Sequence, residues 1–147
     1  MRAVLQRVSS ASVTADDYSA SIDSGLLVLV GVERDDGPGD VEYIARKIRE
    51  TRIFDGEQGF AHSVQDAGGS VLVVSQFTLA ADCRRGRRPS FDAAAPPDLA
   101  RPLYESVVDS LRRAGLAVQT GKFQAMMQVS LTNDGPVTLL IDSRRRF

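Results

Sequence analysis

The sequence predicts a single α+β domain spanning residues 1–147, with mostly antiparallel or mixed β-sheet layers and two main helices packed on one side. Three observations predict it. Apolar runs of strand length recur near both ends of the chain, at residues 3–8, 11–15, 25–32, 70–77 and 137–142. Helical spacing of apolar residues occurs in only two stretches, after Asp40 and after Asp98. At 147 residues, 43% hydrophobic and 25% charged, the chain can bury one real core, and no repeat or linker divides it.

Each element follows from its local pattern. Ala3, Leu5 and Arg7 alternate with Val4, Gln6 and Val8, and residues 11–15 repeat the period of two. Asp16-Asp17 marks a turn into a short strand from Tyr18 to Ile22. Residues 25–32 are continuously apolar and rich in β-branched side chains, as in a strand covered on both faces. The Asp35-Asp36-Gly37-Pro38-Gly39 break precedes a helix over residues 40–50, with Val41, Ile44, Ala45 and Ile48 on one stripe. Its acids come early and its bases late, which complements the helix dipole. A short strand at residues 52–54, ended by Asp55-Gly56, leads into a polar loop closed by Gly68-Gly69. Residues 70–77 form another buried strand, and residues 80–97 are irregular and arginine-rich. Asp98 is the expected cap of a second helix carrying Leu99, Leu103, Val107 and Leu111, with Gly115 as its stop. Two last strands, at residues 123–131 and 137–142, flank a turn at residues 133–136.

Composition excludes several classes of function. A formal net charge of −1 provides no global basic field for a long nucleic-acid track, although a few local arginines suffice to dock an RNA end. The single cysteine, Cys83, excludes an internal disulfide framework and fits a reducing compartment. It reads as a surface or pocket-edge thiol. The first eight residues show no signal-type apolar run, and no run approaches ~18 apolar residues. A soluble, cytoplasmic protein without a membrane segment is expected. His62 stands alone as a loop histidine, and one cysteine with one histidine makes no zinc site. No metal and no cofactor are expected.

Two peptides carry the candidate chemistry. Ser75-Gln76-Phe77-Thr78-Leu79 continues the apolar run of residues 71–74 and turns polar at its end, where a pocket can form. The next segment places Arg84, Arg85, Arg87 and Arg88 within five positions. It is either a solvated loop or a site for a phosphate-bearing ligand. Asn133-Asp134-Gly135-Pro136 reads as a hairpin turn, or as a Gly-Pro bond in the cis form that re-aims its carbonyls into a wall without side chains. Met126 and Met127, adjacent in a strand, face opposite ways, one to the core and one to a pocket. Arg144-Arg145-Arg146 reads as a solvated tail.

Taken in order, five segments resemble the D-aminoacyl-tRNA deacylase family: residues 1–8, residues 25–32, Val73-Val74-Ser75-Gln76-Phe77-Thr78-Leu79, Arg88-Pro89-Ser90-Phe91 and Asn133-Asp134-Gly135-Pro136-Val137-Thr138. The likeness runs essentially end to end. It implies a homodimeric hydrolase, with its active site at the subunit interface, that cleaves the ester between a D-amino acid and the 3′ end of tRNA. Glycine esters are a further candidate substrate. By that resemblance Gly135 and Pro136 form a cis bond inserted into the partner's pocket, where they exclude an L side chain. Arg7 holds that motif, and Ser75, Gln76, Phe77 and Thr78 line the opposite, catalytic wall. Phe123, Ala125 and Met127 resemble the segment that receives the terminal adenine. Two departures stand out: Gly59-Phe60-Ala61-His62-Ser63 replaces a Gly-Lys-Met-Asn pattern, and Gln124 and Met126 occupy variable positions.

An aminoacyl ester is already activated, so the ribose hydroxyl beside the scissile carbonyl can position water while the protein supplies orientation and backbone donors. The alternative makes Thr78 a nucleophile, which needs a base that the sequence does not offer. A non-catalytic module for RNA 3′ ends, or an esterase acting on small D-esters, is the reading from another class.

Overall fold

The computed structural model describes residues 1–147, and its organising element is β1 (Arg2–Ala15). The residues expected to form two segments run as one strand, because both edges of β1 are paired. β3 (Gly25–Gly31) lies along Arg2 to Val8 and β2 (Tyr18–Ile22) along Ala11 to Ala15. On the other edge, β8 (Gln128–Asp142) follows β1 from Thr14 back to Arg2. The sheet continues through β6 (Ser70–Ser75), parallel to β3, and β7 (Val118–Thr120), parallel to β6. Tyr18 Oη donates to Thr120 O at 2.7 Å, linking β2 to β7 and curling the sheet toward a barrel.

The period of two sorts the strands onto two cores. Leu26, Val28, Val30, Val71 and Val73 enter the larger core, whereas Leu27, Leu72 and Val74 enter a smaller one with Val8, Val13 and Ile22. Both α1 (Pro38–Glu50) and α2 (Pro97–Arg113) press their apolar stripes on the larger core, so the helices share one side. α1 begins two residues before the expected Asp40. Pro38 suits a first turn, and Asp40 Oδ2 reaches back to accept the Gly37 N–H at 2.9 Å. α2 is capped by Pro96 rather than Asp98, which lies in the first turn, and Pro102 sits inside the helix.

Four further expectations are corrected. The short strand expected at residues 52–54 lies at β4 (Phe54–Gly56), and β5 (Gly59–His62) pairs with it in a small hairpin where a polar loop was expected. β6 stops at Ser75: Gln76 N–H to Val30 O at 2.8 Å is the last rung of its ladder with β3, and residues 77–80 then turn into a 3-10 helix. The last strand begins only at Gln128, so Met126 and Met127 precede it in irregular chain. Arg144 and Arg146 are not a solvated tail. Arg146 meets Glu33 at 2.5 Å and Asp142 at 2.7 Å, and Arg144 meets Asp36 at 3.3 Å, all buried acids.

Candidate active site

β6 delivers the first half of the site. Its apolar residues 71–74 are buried on both faces, and Ser75 is the first that emerges. The chain then turns at once. Gly31, opposite the turn, has no room for a side chain: a Cβ there would meet Gln76 O at 2.8 Å and Leu79 Cβ at 2.9 Å. The first hydrogen bond of the turn runs from Leu79 N–H to Gln76 O at 3.2 Å. The N–H groups of Phe77 and Thr78 therefore precede it and are unused by the turn. The Gln76 side-chain amide donates to Thr78 Oγ1. Phe77 is 57% exposed and meets the edge of Phe91 at 5.1 Å between ring centroids.

This turn forms one wall of a cavity of about 670 Å³. Residues 75–78 and Phe123, Ala125 and Met127 all line it, joined by Val30, Val74, Ala100 and Tyr104. Tyr104 and Arg101 were not anticipated, although Tyr104 lies on the apolar stripe of α2. Tyr104 Oη donates to Val73 O at 2.9 Å, and burial pushes its phenol well above the usual range. Its ring packs 5.7 Å from that of Phe123. Arg101 covers Phe123 at 4.6 Å and donates to Gln124 Oε1 at 3.1 Å, fixing the mouth of the cavity. Met127 lines the cavity while packing on the smaller core, and Met126 is 92% exposed. No three acidic, histidine or cysteine side chains are grouped to hold a metal ion. His62 and Cys83 do not line the cavity.

Arg7, Gly135 and Pro136 are gathered elsewhere, and none of them lines that cavity. Residues 133–136 are not a hairpin turn, because β8 runs antiparallel to β1 on both sides of them. Thr138 pairs with Gln6 and Asn133 with Val8, so residues 134–137 bulge out opposite Arg7 alone. The neck is tied by Asn133, whose Nδ2 donates to Thr138 Oγ1 at 2.9 Å and whose Oδ1 accepts Val137 N–H at 3.1 Å. The Gly135-Pro136 peptide is cis. Gly135 has φ +126°, and a Cβ on it would meet Val137 Cγ2 at 2.8 Å.

Arg7 braces the bulge from beneath. It is 6% exposed, donates from Nε to Asp134 O at 3.1 Å and from Nη1 to Ile53 O at 2.8 Å. It also pairs with Asp55 at 3.2 Å and Asp134 at 3.4 Å. Phe60, from the β4–β5 hairpin, stacks 5.7 Å from its guanidinium. Gly135 and Pro136 remain exposed. The result is a stiff backbone prong held out toward solvent.

The family model and the curated relatives point to one family. Residues 4–142 match the family model described as D-Tyr-tRNA(Tyr) deacylase. The chain is 56% identical to a D-aminoacyl-tRNA deacylase of Syntrophotalea carbinolica, with 100% of both chains covered. It is equally 56% identical, again over 100% of both, to a D-aminoacyl-tRNA deacylase of Thermotoga petrophila. Among solved structures it resembles a c-Myc DNA unwinding element binding protein, with TM-score 0.90, 39% identity and coverage of 97% and 98%. A probable eukaryotic D-amino acid tRNA deacylase shares the fold at 18% identity, with TM-score 0.81 and coverage of 95% and 97%.

Proposed function

The chain belongs to the D-Tyr-tRNA(Tyr) deacylase family, and from that premise we propose how it works as a D-aminoacyl-tRNA deacylase. It is a hydrolase that removes D-amino acids from tRNA in translation quality control. No helix is long and apolar enough to cross a membrane, and the cytoplasm is the proposed place of action.

The pocket bounded by residues 75–78 receives the aminoacyl ester, with Phe123, Ala125 and Met127 against the terminal adenine. The unused N–H groups of Phe77 and Thr78 face the developing oxyanion, and the ribose hydroxyl positions the water. Thr78 has no histidine or carboxylate partner among its hydrogen bonds, which favours this route over a Thr78 nucleophile.

The Gly135-Pro136 prong supplies the chiral filter from a second copy of the chain. The observation that carries this reading is that the pocket and the prong are each complete, yet the prong stands outside its own pocket. The outer edge of β8, fifteen residues long and with Leu131 and Leu140 exposed, is the surface on which a second copy pairs. A backbone wall reads the face of the α-carbon and leaves the D side chain in open space.

The test compares single-turnover rates for D-Tyr, D-Asp, Gly and L-Tyr esters on tRNA. Both D-esters are expected to be cleaved, L-Tyr to resist and Gly to leak through. Rapid cleavage of L-Tyr, or total resistance of Gly beside cleaved D-esters, overturns the exclusion. Mixing a pocket-disabled with a prong-disabled variant restores activity if the site is shared between copies, and an unrecovered mixture overturns the sharing.

A further inference from the structure

Building on the deacylase reading, we propose that residues 82–90 form an arginine arch that binds phosphates of the RNA acceptor end and so positions its 3′ terminus over the pocket. The arch is closed at its base by two backbone bonds, Asp82 N–H to Ser90 O at 2.8 Å and Ser90 N–H to Asp82 O at 2.9 Å. Its roots are fixed to the pocket. Asp82 follows the turn of residues 77–80, and Phe91, just past the other root, packs on Phe77. Arg34 Nε holds Asp92 O at 2.6 Å, tying the same root to the chain after β3.

Charge is distributed unevenly along the arch. Asp82 grips Arg84 through two bonds, at 2.9 and 2.6 Å, and the Arg84 side chain holds this carboxyl far below the usual range. Asp82 therefore stays ionised and offsets Arg84. Arg85, Arg87 and Arg88 are exposed and make no ion pair within the chain. A Cβ on Gly86, between them, would meet nothing within 4 Å, so the tip stands free in solvent. Seven residues bridge the base, which limits the reach of the tip to about 12 Å.

The pocket explains why such a group is needed. Its lining contains no lysine or arginine, and its polar members Ser75, Gln76, Thr78, Tyr104 and Gln124 are all uncharged. A polyanionic RNA backbone has nothing there to neutralise it. Beside the pocket, Lys122 is paired with Asp17, while Arg101 lies over Phe123 and bonds the neutral Gln124 amide, so it keeps its charge at the mouth. Three unpaired guanidinium forks on a short tether rooted in the pocket wall add to Arg101 the positive charge that the lining lacks, in the geometry that grips phosphate oxygens in pairs. Their arrangement is suited to backbone contact and not to base reading, so the arch serves many tRNAs alike.

The experiment compares the full-length protein with the triple variant Arg85→Gln, Arg87→Gln, Arg88→Gln. A charge-matched control carries Arg46→Gln, Lys47→Gln and Arg113→Gln. Affinity for an uncharged acceptor-stem minihelix ending in CCA is measured against salt concentration. Cleavage is measured on a D-aminoacyl minihelix and on D-aminoacyl-adenosine, which lacks the stem. The arch variant is expected to lose about 2–3 from the salt slope of log K. Its KM for the minihelix should rise about tenfold or more near 0.1 M salt, with cleavage of D-aminoacyl-adenosine unchanged. An unchanged slope, an equal loss in the control, or an equal loss on D-aminoacyl-adenosine overturns the arch. Parent protein that binds with the full slope but cleaves neither D-ester overturns the hydrolase reading and leaves the arch standing.

Discussion

The pocket turn and the Gly135-Pro136 prong are built in opposite ways. Residues 75–78 are half-buried or exposed, and among them only Gln76 and Thr78 are joined by a side-chain hydrogen bond. The prong is tied at its neck by Asn133, Gln6 and Thr138 and braced beneath by a nearly buried arginine with four polar contacts to Ile53, Asp55 and Asp134. The difference suits the proposed division of tasks. An activated ester needs donors at one edge of an apolar cavity, which backbone N–H groups provide without further support. A filter that distinguishes two faces of one carbon must not yield, because a shift of one methyl width would admit the wrong enantiomer. On the proposed mechanism, rigidity is concentrated where selection would occur, and the chemistry is left to the backbone and the substrate.

Arg7→Ala is the strongest way to break this contrast. It removes charge-assisted bonds to two carbonyls and leaves Ile53 O, on a buried residue, without its donor. A loss of about 2–4 kcal/mol is expected. For a chain of this size that is a fall of about 5–15 °C in Tm, read by calorimetry. L-aminoacyl-tRNA cleavage should rise relative to D. Full L-rejection in a folded Arg7→Ala protein would show that the prong does not need its brace.

Gly135→Ala acts on the prong alone. The new methyl meets Val137 Cγ2 at 2.8 Å and Val137 N at 3.0 Å, at a φ of +126° that L-residues rarely adopt. The expected cost is ~1–3 kcal/mol, measured by denaturant unfolding. Loss of the close fit should narrow the D-to-L rate ratio by about 10–200-fold. A ratio unchanged by both substitutions would place selection in the pocket.

The pocket half was far more legible in the sequence than the prong. Residues 75–78 announce themselves because the apolar run that ends at Val74 and the polar groups after it are consecutive, whereas Phe123, Ala125 and Met127 were reached only through the family resemblance. The sequence could not show where the strand stops, since its last ladder bond joins Gln76 to Val30, 46 positions away. The Asn133-Asp134-Gly135-Pro136 chemistry is the same for a hairpin and for a bulge. Only pairing of both flanks with one strand, β1, decides between them. The β4–β5 hairpin escaped because its strands are three and four residues long and Phe60, its aromatic, is exposed and lies over Arg7. The terminal arginines looked solvated because their acids, Glu33 and Asp36, lie over a hundred residues earlier. Local chemistry is readable, and long-range partnership is not.

Thr78→Val tests the other side of the contrast. The exposed hydroxyl accepts only the Gln76 amide, so stability should change by no more than ~0.5 kcal/mol. The backbone N–H of residue 78 survives, and the loss of rate should stay below ~10²-fold, the cost of removing a whole oxyanion donor. Quenching the parent enzyme during turnover and weighing the protein should reveal no aminoacyl adduct on Thr78. A kinetically competent adduct would make the side chain a nucleophile and end the backbone-and-substrate account.

A small effect is also expected at Tyr104, the most buried of the polar residues that line the pocket. Its hydroxyl donates to Val73 O, but that carbonyl also accepts Gly121 N–H at 2.9 Å. Tyr104→Phe therefore strands no buried acceptor, and the cost should lie near ~0.5–1 kcal/mol at neutral pH. The pH dependence is more telling. Burial raises the folded-state pKa of this phenol above its ordinary value of 10.0. Below that value both the folded and the unfolded chain keep the proton, and stability does not depend on it. As pH rises past 10 the unfolded chain releases the proton first, so the contribution of Tyr104 is lost on the alkaline side. The parent should lose stability above pH 10 more steeply than Tyr104→Phe, with the two curves parallel between pH 7 and 9. Denaturant midpoints across that range measure it. A divergence already present at pH 8 would mean that the pocket floor titrates within the working range, and the pocket would no longer be the electrostatically quiet partner of the prong.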